Sequence, residues 1–232
     1  MIIPDHDFHF LSTSLGQTWT AVDIKCNPSI LFVIEVTEDQ CNEFQAQALE
    51  QTIRGLGRLT SGRSEKLKIV AIDQHAAPGS QNGRELSSST DGSQEWDQTD
   101  ANIEQAVDVI DFLTARYAKN PSLYAVELMN ARRAPGASLD SVTKYYKAGD
   151  GAVRKHSSAA YVVMSNRLSS GGPRELFPRG GGFSRSVIDV HYCNLFSDVF
   201  NGTRVQQNID FIHTNRSAQL NYVTTAGLPK IC

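Results

Sequence analysis

Apolar residues occur along the chain in short runs, and most of these runs alternate with stretches of helical periodicity. The runs at Ser29–Val36, Leu67–Asp73 and Leu123–Met129 are rich in β-branched or apolar residues and predict buried strands. Two further runs, Ala160–Ser165 and Arg185–Val190, predict strands of the same kind.

Helical patterns fill the intervals between these strands. Asp100 is a plausible N-cap for a helix to Lys119, whose apolar face is formed by Ile103, Val107, Ile110 and Leu113. Ser138 can cap a helix that runs to about His156, and Val205–Leu220 predicts another. The alternation of strand and helix predicts an α/β fold with a parallel sheet. Polar residues at the strand ends are typical of the carboxyl face of a (β/α) barrel.

The beginning of the chain fits this alternation less well. Asp5–Leu15 predicts a short helix, and Glu43–Ile53 predicts a second helix that Gly55 and Gly57 end. We therefore divide the chain into a divergent N-terminal segment, 1–66, and a segment of regular βα units, 67–232.

Composition narrows the class of protein. The 232 residues carry a formal charge of −3, and 40% of them are hydrophobic, as in a soluble globular chain. This balance gives no electrostatic case for nucleic acid or an anionic membrane. No apolar run reaches a membrane span, and no secretory signal precedes Asp5, so localisation stays open. The four cysteines lack CxxC spacing and predict neither a zinc site nor a disulfide framework.

Polar side chains collect where four of the predicted strands end. These ends are Asp73–His75, Met129–Asn130, Ser165–Arg167 and His191–Asn194. Because parallel strands bring their carboxyl ends to one rim, we expect these segments to converge. Together they are suited to orient a neutral ligand that is rich in hydroxyl groups. The alternative is that each is a polar strand-end residue satisfied by its neighbours.

A long polar loop follows the Leu67–Asp73 strand, and long ordered loops are often functional. Within it, Trp96 follows the amide and carboxylate groups of Gln94 and Glu95. Such an aromatic residue is suited to stack on a sugar face. A buried tryptophan that anchors the loop is the alternative, and composition alone favours it.

Four of these segments resemble glycoside hydrolase family 5, and in particular its plant exo-β-1,3-glucanase (glucan 1,3-β-glucosidase) branch. They are Ile72–Gly83, Asp91–Trp96, Glu127–Asn130 and Val190–Asn194, and the similarity extends from about Leu67 to Tyr222. The resemblance implies a (β/α)8 barrel, retaining hydrolysis of β-glucosidic bonds in carbohydrate metabolism, and a β-glucan or glucoside oligosaccharide as partner. It implies neither a metal nor an organic cofactor.

The resemblance also implies roles for individual residues. His75 and Asn130 match residues that orient substrate after the third and fourth strands, and His191 and Tyr192 match a His-Tyr pair after the sixth. The residues that border the glucose subsite in the family correspond to Gln81, Asn82 and Trp96.

Departures from the family motif affect the catalytic groups. Retaining hydrolysis needs two carboxyl groups about 5 to 5.5 Å apart. The family's acid/base glutamate follows an asparagine, but here Asn130 is followed by Ala131. The family nucleophile ends a seventh strand that the resemblance places beyond the chain end. The candidate alignment also puts Asp23 where the family has an arginine. No catalytic residue of the family is therefore expected to be intact.

The resulting expectation is an incomplete barrel that lacks its last two strands, since typical barrels need about 250 residues. We expect a glycoside hydrolase-like chain without hydrolytic activity. The alternatives are a non-catalytic glucan-binding module and a non-functional fragment. Rescue by another carboxylate is disfavoured, because Glu127 lies deeper on its strand and Asp73 and Asp189 are expected to hold loop backbone. The other carboxylates considered are Asp91 and Glu95.

Overall fold

Among the residues that the computed structural model describes, eight strands form one sheet, in the order β2-β1-β3-β4-β5-β6-β7-β8. The structure describes residues 9–14, 17–18, 30–37, 68–87, 89–121, 123–169, 171–176, 183–191, 200–225 and 230–231. The strands are β1 (His9–Ser14), β2 (Gln17–Thr18), β3 (Ile30–Thr37), β4 (Lys68–Ala76), β5 (Leu123–Glu127), β6 (Tyr161–Ser165), β7 (Ser186–Asp189) and β8 (Lys230–Ile231). All neighbouring pairs are parallel except β1 and β2.

Helices connect the later strands. They are α1 (Asp100–Tyr117), α2 (Leu139–His156), α3 (Val205–Phe211) and α4 (Ser217–Thr225), and a π-helical turn at Ile212–Arg216 joins the last two. Ser138 caps α2 as expected, since its side chain accepts a hydrogen bond from Ser141 N. In α1 the cap is Thr99 rather than Asp100, because the Thr99 hydroxyl accepts from Asn102 N. None of the helices described here has both the length and the apolar composition to cross a membrane.

The βα alternation confirms the α/β class and the incomplete barrel of the (β/α)8 type. A short strand, β8, occupies the seventh parallel position, which is one of the two positions where a strand was expected to be missing. Its two residues pair in parallel with β7. The strand beside β4 is β3 (Ile30–Thr37), so the alignment of Asp23 with the end of the second strand is wrong.

The N-terminal segment differs from the sequence expectation in its local structure. Residues 9–14 form β1, not part of the helix predicted for Asp5–Leu15, because they pair in parallel along β3. The helix predicted for Glu43–Ile53 lies outside the described residues. Because β3 also pairs with β4, backbone hydrogen bonds join the 1–66 and 67–232 segments in one sheet.

The main core lies between the sheet and the helices α1 and α2. Ile103, Ile110 and Leu113 of the predicted α1 face are buried, and Val107 is partly buried against the same core. On α2, Gly149 brings the helix close to Leu128, since a Cβ atom there would lie 2.9 Å from Leu128 Cδ1. This packing fixes the segment that follows β5, which carries residues of the candidate site.

Candidate functional site

Strands β4, β5 and β7 bring six polar side chains to one end of the sheet. They are Asp73, His75, Glu127, Asn130, Asp189 and His191. Donor atoms of Glu127, Asp189 and His191 lie within 4.8 Å of one another, although β6 separates β5 from β7. Since neighbouring strands are about 4.8 Å apart, the side chains meet on the concave side of a curved sheet.

Asp73 connects the ends of β4 and β5. Its Oδ2 atom lies 3.0 Å from His75 Nε2 and accepts a hydrogen bond of 3.1 Å from Asn130 Nδ2. The His75 side chain keeps 15% exposure, whereas Asp73 keeps 5%. The carboxylate therefore orients an imidazole and an amide that both lie nearer the solvent.

A second Asp-His pair ends β7. His191 Nε2 lies 2.7 Å from Asp189 Oδ2, and His191 N donates a 3.0 Å hydrogen bond to Asn166 Oδ1. Burial favours the neutral imidazole, but the hydrogen bond and charge of Asp189, helped by Asp73, raise the pKa of His191 above its usual value. His75 acts in the opposite direction, which shows that the two Asp-His pairs share one electrostatic environment.

Glu127 lies below these pairs and is buried, with 8% of its surface exposed. Its Oε1 atom is inaccessible to solvent and accepts no hydrogen bond from any residue within the described ranges. Burial, together with the charges of Asp73 and Asp189, raises the pKa of Glu127 well above its usual value, and Arg132 opposes this shift. The expectation that Glu127 lies deep on its strand is confirmed.

The two aspartates differ from their expected role. Asp73 and Asp189 were expected to hold loop backbone, but the structure places them against the side chains of His75, Asn130 and His191. In sequence, Asp73 and His75 form an Asp-x-His pattern at a strand end, as do Asp189 and His191. On a strand this two-residue spacing places both side chains on the same face. This Asp-x-His spacing is the sequence signal from which the two Asp-His pairs could have been predicted.

Gln81 is engaged within the protein rather than directed toward a ligand. Its side chain is fully buried, accepts from Ala77 N, and donates hydrogen bonds of 2.6 Å to His75 O and 3.2 Å to Asn130 O. Both polar atoms of the Gln81 amide are therefore engaged. The Nε2 atom joins the two strand ends, and the Oε1 atom accepts from Ala77 N. These contacts disfavour the predicted place of Gln81 in a sugar subsite, which stays a prediction.

Asn82 holds the turn at Ala131. Its Nδ2 atom donates a 3.0 Å hydrogen bond to Ala131 O, and its Oδ1 atom accepts from Arg84 N and Ser87 Oγ. Asn82 is 5% exposed, so it positions the loop and does not offer its amide to a ligand. The predicted role of Asn82 at a sugar subsite also stays a prediction that these contacts disfavour.

Trp96 belongs to the hydrophobic core. It has no exposed surface, and its ring packs edge-on against Tyr145 with 5.4 Å between the ring centroids. A sugar cannot stack on a ring that is covered on both faces. The burial of Trp96 therefore favours the loop-anchor alternative, and the substrate-binding role of Trp96 stays a prediction that burial disfavours.

The segment after Asn130 departs from an extended path. Ala131 has a φ of +38°, an uncommon value for a non-glycine residue. The next residue, Arg132, is fully buried, and its guanidinium donates hydrogen bonds to Met129 O, Ser165 O and Tyr146. The sequence analysis missed this structural role because an arginine in a strand-end loop has no distinctive local pattern. Tyr192, the remaining predicted site residue, lies outside the described residues.

Comparison with known proteins agrees with this fold. No protein-family profile matches the chain. A rutinosidase from Aspergillus niger superposes with a TM-score of 0.58 at 16% identity, covering 72% of this chain and 52% of that one. A cellulase superposes with a TM-score of 0.55 at 14% identity, covering 87% and 54%. At these identities the likeness shows the fold alone: an incomplete barrel of the kind found in glycoside hydrolases.

The chain is similar in sequence to glucan 1,3-beta-glucosidases. A probable glucan 1,3-beta-glucosidase A from Aspergillus niger is 30% identical over 139 residues, which are 60% of this chain and 32% of the relative. A glucan 1,3-beta-glucosidase from Yarrowia lipolytica is 27% identical over 157 residues, 65% and 37% respectively. The chain thus spans about a third of the length of these relatives. It is a glycoside hydrolase-like protein, similar to family 5 and to its glucan 1,3-β-glucosidases.

Proposed function

We propose that this chain binds a β-glucoside oligosaccharide of the β-1,3-glucan type at the rim formed by β4, β5 and β7, without hydrolysing it. The observation that carries the proposal is the arrangement of His75, Asn130 and His191. Each is partly exposed, and each is oriented by a hydrogen bond from or to a more buried aspartate or asparagine. Fixed donors and acceptors of this kind suit the neutral hydroxyl groups of a sugar.

The similarity to glucan 1,3-beta-glucosidases supports the class of ligand. Differences in burial support a division of roles among the residues of the rim. Gln81, Asn82 and Trp96 support the rim from below or behind, whereas His75, Asn130 and His191 are the groups that a ligand can reach.

The absence of hydrolysis follows from residue 131. An alanine side chain has no proton to transfer, and the Asn82 hydrogen bond fixes the Ala131 turn. Glu127 cannot replace the missing acid, because its Oε1 atom is inaccessible to solvent. Asp73 and Asp189 are each within ion-pair distance of a histidine. General acid-base groups typically contribute about 10² to 10⁴-fold in rate, so their loss leaves binding as the remaining activity.

The test is isothermal titration calorimetry with laminari-oligosaccharides, together with an assay for released glucose. We expect saturable binding and no glucose above the uncatalysed rate. Asn130→Ala is expected to weaken binding by roughly tenfold, since it removes a polar contact at the rim. The matched control is Asn221→Ala, which changes an exposed asparagine of α4 and leaves affinity unchanged.

Two results would contradict the proposal. Equal affinity of the Asn130→Ala variant and the unaltered chain would remove the rim from the binding site. Glucose release by the unaltered chain would restore the hydrolase alternative. In that case Glu127→Gln identifies whether Glu127 supplies the proton.

A further inference from the structure

We propose that Glu127, Asp189 and His191 form a site for a divalent transition-metal ion beneath the rim. One donor atom from each residue lies within 4.8 Å of the other two. Among the residues that the structure describes, no other group of three histidine, cysteine, aspartate or glutamate side chains brings its donor atoms this close together. The sequence expectation of no metal came from the family resemblance, whereas this proposal rests on the geometry.

An independent observation is the unpartnered oxygen of Glu127. Glu127 Oε1 is buried and accepts no hydrogen bond from the residues that the structure describes, although buried polar atoms are nearly always paired. Asp73 Oδ1 is a second buried oxygen that lacks a donor among the described residues, and Asp73 is the register partner of Glu127 on β4. A cation bound at Glu127 would supply the partner that its Oε1 atom lacks there.

The described cations do not meet this need. Arg132 directs its guanidinium to the carbonyl oxygens of Met129 and Ser165 and to Tyr146. His75 and His191 each lie against an aspartate. Glu127 therefore faces the other two carboxylates without a direct counter-ion. A divalent ion that binds there would displace the proton that burial favours on Glu127 and would pair with the Glu127 and Asp189 carboxylates.

The donor set indicates the class of ion. One imidazole nitrogen and two carboxylate oxygens suit Zn²⁺ and neighbouring first-row ions, whereas Ca²⁺ and Mg²⁺ prefer oxygen ligands. Tetrahedral Zn²⁺ bonds of about 2.1 Å place donors about 3.4 Å apart, so metal binding requires side-chain rotation and opens the 2.7 Å contact between His191 Nε2 and Asp189 Oδ2. Three protein ligands leave a fourth position, which water or a ligand hydroxyl can take.

The experiment is a calorimetric titration of the chelator-treated full chain with ZnCl₂, without sugar. We expect one ion per chain, and Glu127→Gln and Asp189→Asn are each expected to weaken binding by roughly tenfold or more. The matched control is Asp111→Asn. Asp111 of α1 lies 3.0 Å from His156 of α2, so these two residues form an Asp-His pair outside the site. This control is expected to bind Zn²⁺ with unchanged affinity.

A thermal melt gives a second readout. Zn²⁺ is expected to raise the melting temperature of the unaltered chain and of Asp111→Asn, and to raise that of Glu127→Gln by less at the same Zn²⁺ concentration. Circular dichroism checks that each variant folds, and His191→Gln replaces any variant that does not. Absence of a saturable site, or equal Zn²⁺ affinity after the Glu127→Gln change, would overturn the proposal. Oligosaccharide binding without Zn²⁺ binding would overturn this inference and leave the proposed function intact.

Discussion

Asn130 Nδ2 donates a 3.1 Å hydrogen bond to Asp73 Oδ2, and this bond joins the ends of β4 and β5. The same oxygen lies 3.0 Å from His75 Nε2. One buried carboxylate thus fixes the orientation of two side chains that a ligand can reach. The rim is therefore held by contacts between strands as well as by each strand's own backbone.

The buried position of Trp96 predicts a large effect on stability. Trp96→Ala removes an aromatic side chain with no exposed surface and leaves a cavity beside Tyr145. We expect a loss of about 3 to 5 kcal/mol in the free energy of unfolding, and a smaller loss for Trp96→Phe. Urea denaturation measures both. A Trp96→Ala variant of unchanged stability that had lost glucan binding would instead support sugar stacking.

Two glycines on α2 provide a matched pair. Gly151 is exposed and has no heavy atom within 4 Å of a Cβ position, so Gly151→Ala should gain up to about 1 kcal/mol from helix propensity. Gly149→Ala would bring a methyl group to 2.9 Å and 3.0 Å from the two Leu128 δ-carbons. We expect a loss of about 1 to 3 kcal/mol there. Equal melting temperatures for the two variants would contradict close helix packing at Leu128.

Glu127 predicts a pH dependence of stability in metal-free protein. Because burial raises its folded-state pKa, the stability that its protonated form contributes is full below the unfolded pKa of about 4.5. That contribution is lost as pH rises through the folded-state pKa. Glu127→Gln keeps the shape without the charge, and its amide can donate to a neighbouring carboxylate. We expect a gain on the order of 1 kcal/mol at pH 7 and a flatter pH profile.

Chemical denaturation across pH 4 to 8 measures this effect. Asp140→Asn, an exposed change in the first turn of α2, is the control that keeps the pH profile unchanged. A steeper fall in stability for Glu127→Gln than for the unaltered chain would contradict the buried, uncompensated carboxyl group.

His191 predicts a second pH dependence of stability, and the pKa of its imidazole can be measured separately. The folded-state pKa of His191 is raised, so its pairing with Asp189 contributes its full stability below the unfolded pKa near 6.5. This contribution to stability is lost as pH rises through the folded-state pKa. Asp189→Asn is expected to lower the pKa of His191. NMR titration of the imidazole signals in metal-free protein measures it. An unchanged pKa would show that Asp189 does not hold the imidazole.

Much of the fold was predictable because its signals are local. The strands after Leu67 and the helix capped by Ser138 follow from apolar runs, periodicity and a cap residue, which act over a few neighbouring positions. The residues 9–14 were predicted wrongly because their strand depends on pairing with β3. The polar strand ends were identified for a similar local reason, since each follows directly after an apolar run.

The sequence by itself determined the βα order, the polar rim and the alanine at position 131. The tertiary structure decided which rim residues are accessible: Gln81, Asn82 and Trp96 are turned into the protein, while His75 and His191 remain partly exposed. It also decided that Glu127 meets the Asp-His pair of β7. These outcomes depend on loop packing and sheet curvature, which join residues far apart in the chain and leave no periodic pattern.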